Sequence, residues 1–423
     1  MHTIERLEID GFWLTHNVRI DFHRDVTFLI GPNGTGKTTV LNLLASALRA
    51  DYVALSEIDF SEARIALRSC DDIREKAEIH VSRPQFMRRE EQFFSYNIFK
   101  SLDNSIEQFT LTRQDSVSVS GIISSLSDLF SASGSFTTLQ SAIQSIVQFS
   151  WLSILRGSVT SAVRREGLSA ADLKIIEQSN DIVRYFSSIS GVKELLLKQF
   201  QQEMFVSLLS VDPQLEAPDE NILNRLNDIE GALRSIFDQL DLVDPKARRV
   251  ISAFIEEAKS LNISSQRTGI SAGDTAIMVS LNKVVGLVNE WSDLQEKLKF
   301  IDKPKENFIA VANQLFNRKV MSISDSNEIE FESRSGKKLP PKLLSSGEKQ
   351  LLILLSEVLL QRGAPAVLIA DEPELSLHVL WQEKLIGSLR ALNPNAQIIV
   401  ATHSPDIVGP LADKALDMEH IIP

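Results

Sequence analysis

Nine residues near the start of the chain, Gly31-Pro32-Asn33-Gly34-Thr35-Gly36-Lys37-Thr38-Thr39, carry the spacing Gly-x4-Gly-Lys-Thr. That spacing suits one kind of chemistry, the cradling of phosphates. Glycines let the backbone curl so that its N–H groups point inward at phosphate oxygens. The lysine neutralises the β and γ phosphates, the threonine hydroxyl takes a place on Mg²⁺, and a following helix adds its N-terminal dipole. Three more stretches can do chemistry on such a ligand. Asp371-Glu372 ends an apolar run, where an aspartate can help to hold Mg²⁺ and a glutamate can polarise an attacking water. His403 follows the next apolar run and could contact the γ-phosphate. Leu344-Ser345-Ser346-Gly347-Glu348-Lys349-Gln350 opens a helical pattern some 300 residues after the first motif.

These groups act together only if the fold gathers them. Val26 to Ile30 is a nearly continuous apolar run, the mark of a strand buried on both faces. It feeds the glycine-rich turn, and residues 38–48 then read as a helix with Leu41, Leu44 and Leu48 on one face. Residues 3–9 and 18–22 alternate like half-buried strands. The far end repeats the plan: helix 350–360, strand 366–370, helix 379–392 stopped by Asn393-Pro394-Asn395, and strand 397–401. Strands alternating with helices predict an α/β fold, a P-loop head with a mostly parallel or mixed sheet flanked by helices. Ligands in such sheets bind at the carboxyl ends of the strands, where Lys37, Asp371, Glu372 and His403 all fall.

Between the two ends the texture changes, and three divisions are expected: an N-terminal lobe 1–83, a helical insertion 84–305 and a C-terminal lobe 306–423. The serine-rich stretch from Ser116 to Ser161 reads as short helices and loops. Leu223, Leu226, Ile229, Leu233, Ile236 and Leu240 form one seven-residue seam; Ile277, Leu281, Val284, Val288 and Trp291 form another. Asp244-Pro245 starts a helix between them. Two such seams suggest a short antiparallel helical arm, about 30–40 Å long. After Pro304 a helix through Phe308 and Leu315 leads to a hairpin, Val320 to Ser324 and Ile329 to Glu332, and so to the Ser-Ser-Gly-Glu motif.

Composition narrows the partners. Asp and Glu outnumber Lys and Arg by 56 to 44, and a net charge of -12 does not favour indiscriminate nucleic-acid binding. The one cysteine, Cys70, excludes an internal disulfide and a cysteine zinc cluster; it reads as a small buried residue near a helix, in a reducing compartment. No charged-then-apolar leader opens the sequence, and no apolar run approaches the ~20 residues that span a bilayer, so a soluble, cytoplasmic chain with no membrane partner is expected. Arg64 and Arg68, four apart, read as the solvated face of a helix. Trp13 reads as a core or interface residue.

Taken in order, the glycine loop, Ser345-Ser346-Gly347-Glu348, Asp371-Glu372 and His403 resemble an ABC-type ATPase. Pro373-Glu374-Leu375-Ser376-Leu377-His378, Trp381-Gln382 and Ala401-Thr402-His403-Ser404-Pro405 resemble its RecF-like, OLD-family and SMC-like branch, which includes ATPases of Septu, retron-associated and PARIS-like antiphage systems. The likeness covers roughly residues 1–82 and 306–412. It implies ATP and Mg²⁺ as ligands, Thr38 and Asp371 as metal ligands, and Glu372 and His403 as catalytic residues. It also implies that Ser345, Ser346, Gly347 and Glu348 cap the γ-phosphate held by a second copy, giving an ATP-sandwich homodimer that can build larger oligomers of dimers. The segment Leu375 to His378 would couple the two sites, with His378 where transporters have aspartate. Gln85 is the first candidate for the glutamine that bridges Mg²⁺ and the insertion.

Two purposes fit. In the first, the dimer controls a separate effector, a nuclease subunit in antiphage defence. About twenty residues follow His403, leaving no room for the nuclease domain of OLD-family enzymes, so the output is expected from a partner. In the second, a repair or recombination ATPase lays duplex DNA across its heads.

Overall fold

The computed structural model describes residues 1–72, 74–84, 93–101, 105–113, 115, 134–152, 169–209, 225–240, 244–260 and 272–422. The chain begins with β1 (His2–Phe12) and β2 (His16–Asp21), then β3 (Val26–Ile30), whose first four residues are buried. The glycine loop follows and gives way to α1 (Lys37–Arg49), then the short α2 (Tyr52–Ser56). Four strands come next: β4 (Glu62–Ser69), β5 (Lys76–Ser82), β6 (Phe93–Lys100) and β7 (Ser105–Thr112). Helix α3 (Gly134–Ile146) leads to β8 (Phe149–Leu152).

Two larger sheets carry these strands, and strand direction segregates between them. An antiparallel sheet has the order β2-β1-β4-β5-β6-β7. Its strands alternate: Ala63, Ile65 and Leu67 of β4 are buried, while Glu62, Arg64 and Arg68 take the other face. The buried face shares one core with the apolar side of α1, Val40, Leu41, Leu44 and Leu48. Arg64 and Arg68 therefore stand on a strand, not on the helix expected for them. A four-residue separation puts two residues on one face of either element, so spacing alone could not tell the two apart. Cys70, directly after β4, is exposed rather than buried.

The second sheet is parallel throughout and built from β3, β8 and three later strands: β12 (Ala366–Asp371), β13 (Ala396–Ala401) and β14 (Ala415–Asp417). Its order is β14-β3-β13-β12-β8. All residues of β12 and β13 are buried, which is why both read as mostly apolar runs, broken only by Asp371 and Gln397. The carboxyl ends of β3, β13 and β12 thus lie side by side at one edge.

By internal contacts the chain divides into two compact units, Met1–Arg184 with Glu306–Pro423, and Tyr185–Lys305. The first unit holds β6, β7, α3 and β8, so its sheets draw on residues well beyond the boundary at 84 read from texture. Both crossings between units fall inside long helices, α4 (Ala170–Leu209) and α7 (Ala272–Leu315). The second unit also contains α5 (Leu226–Gln239) and α6 (Pro245–Lys259), the latter opened by Asp244 as N-cap and Pro245 in the first turn, as expected.

Both apolar seams are present there. Leu226, Ile229, Leu233 and Ile236 are buried on α5, and Leu281, Trp291 and Leu298 on α7. Ile251 and Ile255 of α6, the helix between the seams, and Phe200 of α4 join the same core. Leu223 lies outside the described residues, as do parts of the serine-rich stretch. Pro304 does not precede a new helix but sits inside α7, which continues past it on buried Phe308, Ala312 and Leu315.

The C-terminal part of the first unit starts with a three-stranded sheet, β9 (Lys319–Ile323), β10 (Ile329–Ser333) and β11 (Lys338–Leu339), in the order β11-β10-β9. It delivers the chain to α8 (Ser346–Leu360). Helix α9 (Val379–Leu392) joins β12 to β13, and the short α10 (Pro405–Val408) and α11 (Met418–Ile421) close the chain around β14.

Candidate functional site

The glycine loop runs from the end of β3 to the first residue of α1. Gly31, Gly34 and Gly36 take φ values of 139°, 89° and 86°, a region open to glycine and strained for other residues. Gly36 has a second constraint, since a Cβ there would lie 3.1 Å from the Trp13 ring and 3.3 Å from Phe12. Lys37 is buried, and its ammonium donates to the carbonyls of Gly31 at 2.8 Å and Pro32 at 2.9 Å. Burial pulls its pKa down, while the charges of Glu372 and Asp371 pull it back up. Thr35 donates its hydroxyl to Pro32 O, pinning the loop's own turn.

Across the edge, β12 brings Asp371 to the loop. The Thr38 hydroxyl donates to Asp371 Oδ1 at 3.0 Å. Asp371 is 5% exposed, and burial raises its pKa; the Thr38 hydrogen bond and Lys37 oppose this, while the charges of Glu372 and Glu374 add to it. A buried carboxylate that is costly to ionise, touching a hydroxyl, suits a divalent cation. Mg²⁺ in such sites takes one or two protein oxygens and completes its shell with phosphate and water. Among the described residues no group of three or more His, Cys, Asp or Glu side chains is arranged to hold a metal.

Backbone hydrogen bonds lock the neighbouring strand ends together: Glu372 N donates to Ala401 O and Thr402 N to Leu29 O. They bring Glu372 and His403 to one place, with His403 Nε2 3.8 Å from the Glu372 carboxylate and both side chains partly open to solvent. Glu372 has φ 44° and Ser376 φ 73°, so the turn after β12 holds two non-glycine residues in the left-handed region. Such residues are uncommon, and their cost is met where the surroundings over-determine the turn.

Ser345 N-caps α8 in a reciprocal box. Its side chain accepts from Glu348 N, and the Glu348 carboxylate accepts from the Ser345 backbone N–H and hydroxyl, both at 2.8 Å. Lys319 of β9 grips the same carboxylate at 2.6 Å. Burial works against the ionised Glu348, yet Lys319 and Ser345 hold its pKa below the ordinary value. Ser345 and Ser346 are exposed at this helix N-terminus, and Gly347 is buried, with Ser376 O 2.3 Å from where a Cβ would stand. His378 caps α9 by accepting from Leu380 N at 3.3 Å.

Lys37, Thr38, Asp371, Glu372 and His403, expected at the strand ends, converge at the sheet edge. Trp13, expected as a core or interface residue, is 37% exposed, stacks on Phe12 at 4.6 Å and borders the glycine loop. Thr15 and His16, two and three positions further on, are polar, a hint of an open position. Gln85 lies outside the described residues. Arg64 does not stand free, being paired with Glu62, Asp10 and Glu8, and Arg68 is paired with Glu5. Three features had no sequence signal: Lys319 on Glu348, Lys349 on Asp172 of α4 at 2.6 Å, and the buried Glu374. The first two pair residues 29 and 177 positions apart.

A glycine loop, an aspartate-glutamate strand end and a histidine stand on adjacent parallel strands, with a capped Ser-Ser-Gly-Glu helix beside them, the arrangement of a P-loop ATPase head. The chain belongs to the family described as "AAA domain, putative AbiEii toxin, Type IV TA system", whose model matches residues 26–409. It is similar to the "Retron Vc95 probable ATPase" of Vibrio cholerae serotype O1 biovar El Tor, 33% identical over 85 residues. That match spans 17% of this chain and 16% of the relative's length. Among solved structures it is similar to the Smc head domain with an extended coiled coil bound to the C-terminal domain of ScpA, from Pyrococcus furiosus. There the identity is 15%, over 96% of this chain and 91% of that one, with a TM-score of 0.46. The SMC head domain of Thermotoga maritima is 12% identical over 97% of this chain and 92% of its own, with a TM-score of 0.35. No helix among the described residues is long and apolar enough to cross a membrane.

Proposed function

We propose that the chain hydrolyses ATP as one half of a dimeric switch, and that the switch governs a separate effector subunit in antiphage defence. The observation that carries the reading is the division of labour within one chain. Lys37, Thr38, Asp371, Glu372 and His403 gather at one sheet edge. Ser345 and Ser346 stand exposed at the N-terminus of α8, whose motif contacts Lys319 and Ser376. A helix N-terminus with exposed hydroxyls is complementary to phosphate. Supplied by a second copy, it would cap the γ-phosphate held by Lys37.

In this reading Lys37 leaves the Gly31 and Pro32 carbonyls for the β and γ phosphates, and the loop N–H groups hold the remaining oxygens. Mg²⁺, held through Thr38 and Asp371, would neutralise charge developing on the phosphates. Glu372 takes the proton of the attacking water, and His403, 3.8 Å away, orients that water and meets the γ-phosphate. Loss of the γ-phosphate removes what joins the copies, and the dimer opens. The family's toxin description and the likeness to a retron ATPase support the defence role. The ion-paired state of Arg64 and Arg68 speaks against a DNA-binding sheet face.

Glu372→Gln tests the switch, because an amide cannot take the proton. With Mg-ATP the variant should run as a stable dimer by light scattering while turnover falls about 10²–10⁴-fold. Normal turnover would remove Glu372 from the base role. Capture of the Glu372→Gln protein from its native host, with and without ATP, then reads the output. A co-purifying nuclease-like subunit is expected; DNA alone would replace the defence reading with repair.

A further inference from the structure

Glu374 is a carboxylate with little reason to be inside a protein unless it holds something. It is 8% exposed, two residues beyond Glu372, in the turn that joins β12 to α9. Its Oε1 accepts from the Thr402 hydroxyl and, at 3.0 Å, from the backbone N–H of His403. Its Oε2 is buried without a hydrogen-bond donor among the described residues, so the grip on the neighbouring loop rests on Oε1. Thr402 is itself 1% exposed and accepts from Ser404 N at 2.9 Å.

A second tie runs parallel to the first. Ser404 donates its hydroxyl to Gln382 Oε1 at 2.6 Å, and Gln382 Nε2 donates to Leu377 O at 2.9 Å. Residues 402–404 are therefore fastened on both sides of His403 to the turn 372–377. The same turn presents Ser376 O to Gly347 at the tip of α8. Hydrogen bonds to a carboxylate are shorter and stronger than neutral ones, and a buried charge left without its donors is costly. The pattern is that of a clamp on backbone rather than a ligand site.

We propose that Glu374 is a positioning residue for ATP hydrolysis: its carboxylate holds the His403 backbone against the turn that carries Glu372, so that base and histidine keep one geometry. The proposal rests on the hydrolytic reading of the site and adds what fixes it. Because Oε1 acts as an acceptor, a side chain of the same shape that keeps an acceptor should keep the geometry.

The test compares Glu374→Ala with Glu374→Gln in the full chain, using steady-state ATPase kinetics with Mg-ATP and amide hydrogen exchange of the nucleotide-free protein. Glu374→Ala should lower kcat about 100-fold, the scale set by small misplacements of a reacting group, with KM for ATP within about twofold. Glu374→Gln should restore kcat to within about fivefold of the parent, since the amide oxygen still accepts both bonds. In the absence of nucleotide, the His403 amide should exchange at least about tenfold faster in Glu374→Ala than in either other protein. Parent-like kcat in Glu374→Ala, or a Glu374→Gln protein as impaired as Glu374→Ala with its cooperative melt intact, would overturn the proposal. Unchanged exchange at His403 would overturn the clamp itself, whatever the activity. A parent protein with no ATPase activity would instead defeat the hydrolytic reading, and the exchange result would still judge the clamp.

Discussion

Gly347→Ala is a one-methyl change with a consequence that can be worked from the structure. A Cβ at residue 347 would lie 2.3 Å from Ser376 O, where real Cβ contacts almost never fall below 3.0 Å. The obstacle is backbone, so no side chain can rotate away, and either the tip of α8 or the turn after β12 must retreat by about 0.7 Å or more. Overpacking of this kind costs about 1–3 kcal/mol. Alanine recovers up to about 1 kcal/mol of helix propensity. The net loss of ~0–2 kcal/mol is small beside a domain stability of roughly 5–15 kcal/mol, so the variant folds. Function should suffer more than stability. The displaced elements carry Ser345 on one side and, through Glu374, the His403 loop on the other, and a shift near 1 Å can cost about 100-fold in rate. Steady-state ATPase assays should show that fall, with ATP binding to the isolated P-loop side within about threefold and the melting temperature lowered by only a few degrees. Parent-like turnover would refute the reasoning, as would a collapse of ATP binding that matched the loss of rate.

Two further perturbations probe separate parts. Trp13→Ala removes an exposed ring beside Gly36; stacking on a base is worth roughly 1–3 kcal/mol, so ATP affinity should fall at least about fivefold with kcat little changed. Equal ATP affinity in titrations of parent and variant would leave Trp13 as a cover for the loop alone. The Asp172–Lys349 pair sets a pH window. Burial opposes the charged carboxylate, but Lys349 and Ser169 outweigh it and hold its pKa at about 2. A depressed carboxylate pKa contributes stability above its unfolded value and loses it as pH falls towards the folded one. The parent should therefore exceed Asp172→Asn by ~1–2 kcal/mol at neutral pH, after allowance for screening. The advantage should shrink between about pH 4 and about pH 2 in urea melts. An advantage that persists at pH 2 would contradict the pairing.

What was legible in the sequence follows from which forces act locally. The glycine loop, the two buried runs and the helices at 379–392 and 37–49 show themselves because burial on both faces or one face leaves a regular apolar pattern. Helix α4 was not read from the sequence, because its buried Ile175, Ile182, Phe186 and Phe200 are thinly spread over 40 residues that are mostly polar or part-exposed. β8 is four residues long, too short to alternate visibly, yet it supplies an edge of the parallel sheet. The helical seams were visible as pattern, but α6 and Phe200, which share their core, could be placed only by the fold. At the site, the types and order of residues set the expectation for its chemistry, and the fold brings Lys37, Thr38, Asp371, Glu372 and His403 to one edge. The ties that hold it, Glu374 to His403 and Lys319 to Glu348, join distant segments and carry no spacing to read.

The switch depends on a shared site, in which one ATP is held by Lys37 of one copy and capped by Ser345 of another. It is tested by mixing two inactive proteins, Lys37→Ala and Ser345→Arg, and measuring single-turnover ATP hydrolysis. In an isologous dimer the mixed pair contains one site with both parts intact, so an equal mixture should recover about a quarter of the parent's activity. If the mixture stays as inactive as its components while each binds its partner normally, both motifs serve the same chain and no site is shared between copies.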